Sequence, residues 1–562
     1  MIFTKSSNTN SIYSFLLIVI QLNAFALSAQ ELPSSLNAFA DELTTVEAGK
    51  YSYTQELSFD PEKPYHLMLR VNKEGKKGEE QMQYSLNLAD LNTRLITWKP
   101  KGDIMEFKIQ TTNRQKFIEV LKDGEADDYV NEVTIYANSS DNARAMQDLL
   151  KNCITLAKPL FSAELDINNY EEGVEWLTKN VHSVSIKREN TDQELSRIPG
   201  EAVLFLLTSQ ADNKQEQFNF NLADLRSPSV KMEVKGQEVS IEVKTEKSLK
   251  YIGTTKEGER NNYTNELRIL VSSIEQARMM KDVLSKTIDL SKSLNAEKTP
   301  NFSTWEEGLS LAQSLVGTAN AKSGEMTQAL KENCNATLQK NGKESEQYNF
   351  HFADLNPKAI NLKVSGKYLN IEAKTRNKES LIQYYKDGEL LKYVDDLVFA
   401  LDDLESAKQL AIILEKLIPL CENTRTFTFP FEGTHDEISD WLIAHVSPFE
   451  TSNKDFQQVL EKMENNPCKL AFTQTESTDK KSSTEIFEFN FVDIDPRDIK
   501  YAIKGNELGV AVEATGNKKY IKHYKDDKVD DYVGSFKIYF TDLEVVRNVR
   551  AALEVLAKGC EE

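Results

Sequence analysis

Cysteine, histidine and tryptophan are scarce in this 562-residue chain, at five, six and four residues. The cysteines form no C-x-x-C pair and no metal-ligand spacing, which disfavours zinc sites and thioredoxin-type redox chemistry. The histidines, at 66, 182, 351, 435, 445 and 523, never recur at one position of the repeats described below, and none pairs with a Ser or Cys nucleophile. No G-x-S-x-G, H-E-x-x-H or phosphate-binding glycine loop occurs. A hydrolase or nucleotide enzyme therefore lacks support, and no catalytic residue, metal or cofactor is assigned. A paired-carboxylate glycosidase stays open, since two acids can converge from anywhere in a chain. Positive charge is also short: 68 Lys and Arg against 88 Asp and Glu give a net charge of −20. Phosphate-backbone binding needs concentrated cations, so nucleic acid is not an expected partner. Past residue 29 no run approaches the ~18 consecutive apolar residues of a membrane span, and a soluble body without an integral membrane segment is expected.

What is present begins with a leader. Residues 1–29 hold a single charge, Lys5, an apolar run from Ile12 to Ile20, and small residues with cleavage points after Ala26 or Ala29. This reads as a secretory signal peptide. Gln21 and Asn23 stop the apolar run short of a spanning length. The first cysteine is Cys153, so no acylation site follows the cleavage point and an unanchored periplasmic or secreted protein is expected. Export also permits disulfides.

The remainder repeats itself four times. Tyr84-Ser-Leu-Asn-Leu-Ala-Asp90, Phe218-Asn-Phe-Asn-Leu-Ala-Asp224, Tyr348-Asn-Phe-His-Phe-Ala-Asp354 and Phe487-Glu-Phe-Asn-Phe-Val-Asp493 are one motif. A lysine-headed turn follows 32 residues after each aspartate (Lys122, Lys256, Lys386, Lys525), and a tyrosine follows at 39 (Tyr129, Tyr263, Tyr393, Tyr532). From the aspartate onward the copies align without a gap for more than 50 residues, so their connections must be tight turns. At about 133 residues each, the copies are large enough to be domains, unlike solenoid units that need neighbours to bury a face. The expected domains are 30–162, 163–296, 297–425 and 426–562.

Each copy reads in one order. A short helix, carrying Phe39, Trp176, Trp305 or Trp441, comes first, and a segment with Gln55, Gln193, Gln328 or Gln458 follows, its helix-or-strand state ambiguous. The stretch before the aspartate alternates apolar (Tyr348, Phe350, Phe352) with polar (Asn349, His351), the period of a half-buried antiparallel strand. Turn glycines at 102, 236, 366 and 505 imply hairpins. A closing helix is clearest in copy three, where Ala407, Leu410, Ala411, Leu414, Leu417, Ile418 and Cys421 make one helical stripe. Its start is marked in every copy by a cap residue (Ser139, Ser273, Asp403, Asp542) and an acid two positions on.

An α+β fold of mainly antiparallel sheet follows, with a short N-terminal helix and an amphipathic C-terminal helix in each of four tandem related domains. This element order is similar to a pleckstrin-homology-like sandwich with an extra helix in front. The resemblance is of order only and carries no binding site, because the basic strand 1–2 loop is not repeated: Lys73, Lys76 and Lys77 in copy one face only Lys214 in copy two. A helix-grip fold, with a terminal helix closing a sheet over an apolar cavity, is the competing architecture.

Cys421 and Cys560 share one offset in the closing helix, and only those two copies carry a second cysteine, Cys334 and Cys468. Copies one and two have Ala157 and Ser291 at the helix position. The joint presence predicts Cys334–Cys421 and Cys468–Cys560 bridges, with Cys153 a buried core thiol.

The repeated aspartates, Asp90, Asp224, Asp354 and Asp493, are expected to accept backbone N–H bonds in a structural turn. The acidic runs Asp123 to Asp128 and Asp526 to Asp531 lack the ligand spacing of a calcium loop and read as solvated hairpin tips. The repeated lysines and tyrosines, Lys122, Tyr129, Lys256, Tyr263, Lys386, Tyr393, Lys525 and Tyr532, are either a hairpin ladder or one ligand surface presented four times. The functional expectation is an exported, non-catalytic interaction scaffold whose partner is a protein. The runner-up is a carrier of a small apolar ligand in a cavity between sheet and closing helix.

Overall fold

The alternating stretch before each aspartate does form a strand, but the strand stops three residues short of the aspartate. In copy three Ser345–His351 is extended and Phe352–Asp354 turns as a short 3-10 helix. The cause is local: a side-chain acceptor at the strand's end takes the N–H two residues on, a bond that competes with the sheet ladder. Asn87, Asn221 and Asn490 play this part in their copies, and the His351 ring does so in copy three.

The structure, a computed structural model, describes residues 30–560 apart from 77, 162–164, 166, 187–188, 213, 452–453, 479–480 and 527. The expected signal segment 1–29 and the expected boundary at 162 lie outside the described residues. The chain is mixed α+β with mostly antiparallel sheets, and it divides into two compact units, Met1–Lys298 and Thr299–Glu562, each holding two copies of the motif.

Every copy contains one six-stranded and one three-stranded sheet. In copy two the larger sheet runs Val184–Ile186, Glu189–Arg197, Leu204–Ala211, Lys214–Asn221, Gly253–Lys256 and Glu259–Arg260, all antiparallel neighbours in that order. The smaller sheet is Lys231–Lys235, Glu238–Lys244 and Glu266–Val271. The lysine-headed hairpin thus returns to the first sheet before the last strand joins the second. Its tip needs two consecutive left-handed residues, Asp123 (φ 50°) and Gly124 (φ 84°) in copy one, the geometry of a tight two-residue hairpin turn.

A glutamine joins the two sheets in every copy, and the ambiguous segment that carries it is a strand. The Gln328 amide donates to the Ala400 carbonyl (2.7 Å) and accepts from the Ala400 N–H (3.0 Å), acting as a strand residue supplied by a side chain. Gln55 does the same with Tyr136, Gln193 with Leu270 and Gln458 with Tyr539. All four are nearly inaccessible, at 2–7% exposure. Replacing Gln328 with leucine strands a buried donor and a buried acceptor of the opposite sheet. A loss of about 2–4 kcal/mol is expected in denaturant unfolding of the second unit.

The closing helices, Ser140–Leu160, Ile274–Glu297, Leu404–Glu422 and Leu543–Cys560, start at the expected caps: Ser139, Ser273, Asp403 and Asp542 each accept an N–H from the first turn. Their apolar stripe is packed. Ala407, Leu410, Leu414, Leu417, Ile418 and Cys421 are all at 0% exposure in copy three, and each such leucine contributes about 1.5–3 kcal/mol of burial. Cys334 is bonded to Cys421 and Cys468 to Cys560, so in the second unit one closing helix is tied to the bend just before the strand Asn335–Asn341 and the other to the strand Asn466–Thr478. Cys153 is free and buried, and burial pushes its thiol up to about 12.

Candidate functional site

The repeated lysines stand at the edge of the hairpin, and three of them reach an acid on or just before the neighbouring strand. Lys122 meets Glu80 (2.8 Å), Lys256 meets Glu216 (2.6 Å) and Lys386 meets Glu344 (2.9 Å). Lys525 occupies the same ladder position, opposite Glu485. These contacts are those of cross-strand pairs in a sheet.

The repeated tyrosines divide by copy. Tyr129 and Tyr393 are 7% exposed and belong to the apolar cores of copies two and four, the copies that follow them. Their backbone N–H groups donate to the carbonyls of the next copy's turn glycine, Tyr129 to Gly236 (3.0 Å) and Tyr393 to Gly505 (3.2 Å). The glycine is needed there: Gly236 has φ 62°, and a Cβ on it would lie 3.1 Å from the Asp128 carboxylate. Tyr263 is 8% exposed and its hydroxyl accepts from Arg260 (2.7 Å), whereas Tyr532 is 48% exposed.

The aspartates divide in the same way. Asp90 is bonded to Arg278 and Asp354 to Arg547, the arginine standing in both cases on the closing helix of the following copy. Arg425 adds a second guanidinium to Asp354. The expectation that these carboxylates cap a turn places the acceptor three residues too late. The cap is the Asn or His already described, and the carboxylates of Asp90 and Asp354 hold a neighbouring copy. Burial pushes the Asp90 carboxyl above the usual range, with the Arg278 guanidinium pulling it back. Arg278 also lies over the Phe117 ring at 5.0 Å and the Phe161 ring at 5.2 Å, which shields the pair from water. Asp224 and Asp493 are half-buried.

Two clefts lie beside these features. One, of about 450 Å³, is bounded by Glu216, Lys256, Tyr263, Asn261 and Asn262, so it includes the repeated Lys and Tyr of copy two. The other, of about 410 Å³, lies in the second unit among Trp305, Asn333, His351, Arg425, Glu544 and Asn548. Its charges are already matched, Arg425 with Asp354 and Glu544 with Arg547, leaving amide and hydroxyl groups to face a ligand. No serine or cysteine nucleophile with a histidine base lines either cleft among the described residues. His435, Cys468 and Cys560 bring three potential metal-ligand atoms within 4.8 Å, but the two sulfurs are bonded to each other and offer no thiolate.

His351 is the one copy-specific replacement at the cap. Its Nδ1 accepts from the Ala353 N–H (3.1 Å), a role open only to the neutral ring. Burial, aided by Arg425 and Arg547, lowers its pKa to about 4. The unfolded chain takes up a proton near pH 6.5 that the folded chain refuses, so this residue costs stability as pH falls from about 6.5 to about 4. His351→Asn restores the residue of the other copies. It is expected to change stability at pH 7 by less than about 0.5 kcal/mol and to flatten that loss, measured by urea unfolding of both chains across the window.

The chain matches no protein-family model, and no curated protein sequence is similar to it at a significant level. Among the described residues no helix is long and apolar enough to cross a membrane.

Proposed function

We propose that this is an exported, non-catalytic binding scaffold built from four related domains, 30–162, 163–296, 297–425 and 426–562. Each domain follows a pleckstrin-homology-like order of two antiparallel sheets and a closing helix, with a lysine-headed hairpin added to the first sheet. The observation that carries the reading is the junction repeated in both units. The same tyrosine N–H, turn-glycine carbonyl, aspartate and helix arginine join copy one to copy two and copy three to copy four. Side chains that a duplicated enzyme would keep for chemistry are spent here on holding neighbours in register. Similar surfaces held in fixed spacing gain avidity for a partner that engages more than one.

Two disulfides are compatible with an oxidising compartment, the periplasm or the exterior. Closing helices packed on their sheets favour the scaffold over a carrier with one apolar cavity per domain. Native mass spectrometry of the chain, purified gently from its own exported fraction, separates the two. A protein complex or a bare chain is expected. Adducts of several hundred daltons at up to four sites, lost on denaturation, would replace the scaffold by the carrier.

A further inference from the structure

In copies one and three a short apolar face beside the aspartate packs against the copy that follows, with Ala126 at its exposed rim in copy one. Phe117 and Leu381 stand 27 residues after their aspartates, Ala126 and Leu390 at 36, Tyr129 and Tyr393 at 39. Leu381 and Tyr393 are 2% and 7% exposed in the core of copy four; Tyr129 is 7% exposed and, with Phe117, packs in the core of copy two. The Ala126 carbonyl accepts from Gln237 across the same junction (2.7 Å).

Copy four carries the same face in the open. Tyr520, Val529 and Tyr532 occupy those three positions and are 46%, 58% and 48% exposed. Val492, beside Asp493, is 53% exposed. Val529 and Val492 are larger apolar residues than Ala126 and Ala89 at the equivalent sites of copy one, the two tyrosines match the aromatic Phe117 and Tyr129, and Asp493, the charged element of the junction, stands beside Val492. The Tyr532 N–H is held at the surface by the Asp531 carboxylate (2.7 Å), which a docking carbonyl would displace.

The complementary half stands on copy one. Arg144 lies five residues after the cap Ser139, as Arg278 and Arg547 do after Ser273 and Asp542. It is 62% exposed and its partner is Asp141 (3.1 Å), itself 89% exposed, an exchangeable surface pair. Gly102 occupies the turn position of Gly236 and Gly505, at φ 64° with open space around it.

We propose that the Asp493 face of copy four docks onto the Arg144 helix start and Gly102 turn of copy one in a second molecule of this chain, repeating between chains the junction found twice within it. The occupant is set by charge complementarity and by continuity with those two junctions. The inference does not depend on what the scaffold itself binds. Such contacts are head-to-tail, so they propagate into rings or open chains. One position is weaker than in the internal junctions: Ser140 begins the copy-one helix, where Ile274 and Leu543 begin those of copies two and four. Association is therefore concentration-dependent and open to strengthening.

Sedimentation velocity of the full chain from about 1 to about 200 µM tests this. Wild type is expected to shift from monomer to dimers and larger species. Asp493→Lys and Arg144→Asp should each weaken association tenfold or more, because either sets like charges face to face. The two together in one chain should restore it. Ser140→Leu should tighten association about tenfold by adding the missing apolar contact. This gain is one that misfolding cannot imitate. A chain that stays monomeric throughout, or one whose association ignores both charge reversals, overturns the proposal and hands the face to a different partner.

Discussion

Asp354→Ala is expected to destabilise the second unit by about 3–5 kcal/mol, the cost of leaving a buried guanidinium without its counter-charge. Arg547 is 4% exposed and its ion-pair partners are Asp354 and Glu544, the latter at an exposed edge. Removing the carboxylate also releases Arg425, which approaches the same group from the segment after the copy-three helix. The contrast that identifies the cause is Asp493→Ala. The same residue of the same motif, half-buried where Asp354 is buried, should cost less than about 1 kcal/mol. Replacing Asp354 and Arg547 together by leucines should recover much of the loss, since a buried pair exchanged for apolar groups is often neutral. Urea unfolding of the four chains under one condition reads all of these differences. Equal losses for Asp354→Ala and Asp493→Ala would show that burial against the next copy does not set the cost.

Losing either disulfide should cost about 4–5 kcal/mol, the chain-entropy value for loops of this length. The bridges close separations of 87 and 92 residues, and each joins the end of a closing helix to the start of an early strand or the bend just before it. The expected signature of Cys334→Ala with Cys421→Ala is a lower denaturant midpoint for the second unit alone. Cys468→Ala with Cys560→Ala should do the same, while Cys153→Ser should not depend on reductant. Thiol counting under native conditions is expected to find no reactive group. In denaturant without reductant it should find one, because the Cys153 thiol is buried and held protonated.

Much of the repeat architecture was legible because its signals are local. The cap residues, the helical stripe of copy three and the alternating strand depend on spacings within a few residues; the caps and the helix are found where the sequence puts them, and the strand is found but ends before Phe352. The cysteine pairing was legible for a different reason: two copies gain both partners and two lack both. Other features were not. The Gln55, Gln193, Gln328 and Gln458 position stood out by recurrence, but nothing local says that an amide will bridge two sheets whose strands lie 72 to 81 residues apart in sequence. The aspartates were assigned to the turn because they follow a strand end, and the residue that caps the turn sits three positions earlier. Their pairing with arginines 188 and 193 residues away arises only when copies pack. The same step places Tyr129 and Tyr393 in the core of the following copy, although the sequence treats all four tyrosines alike.

The uneven distribution of covalent ties has a mechanical consequence. Copies one and two hold their closing helices by non-covalent contacts alone, so a chain pulled from its ends could draw them out to full length. The two bridged loops of the second unit keep roughly 600 Å of contour out of reach of any such force, at about 3.4 Å per residue. Under tension the first unit is extensible throughout, and the second only in the segments outside its two bridged loops. Load applied to the chain would thus be absorbed on one side while the surface of copy four kept its shape.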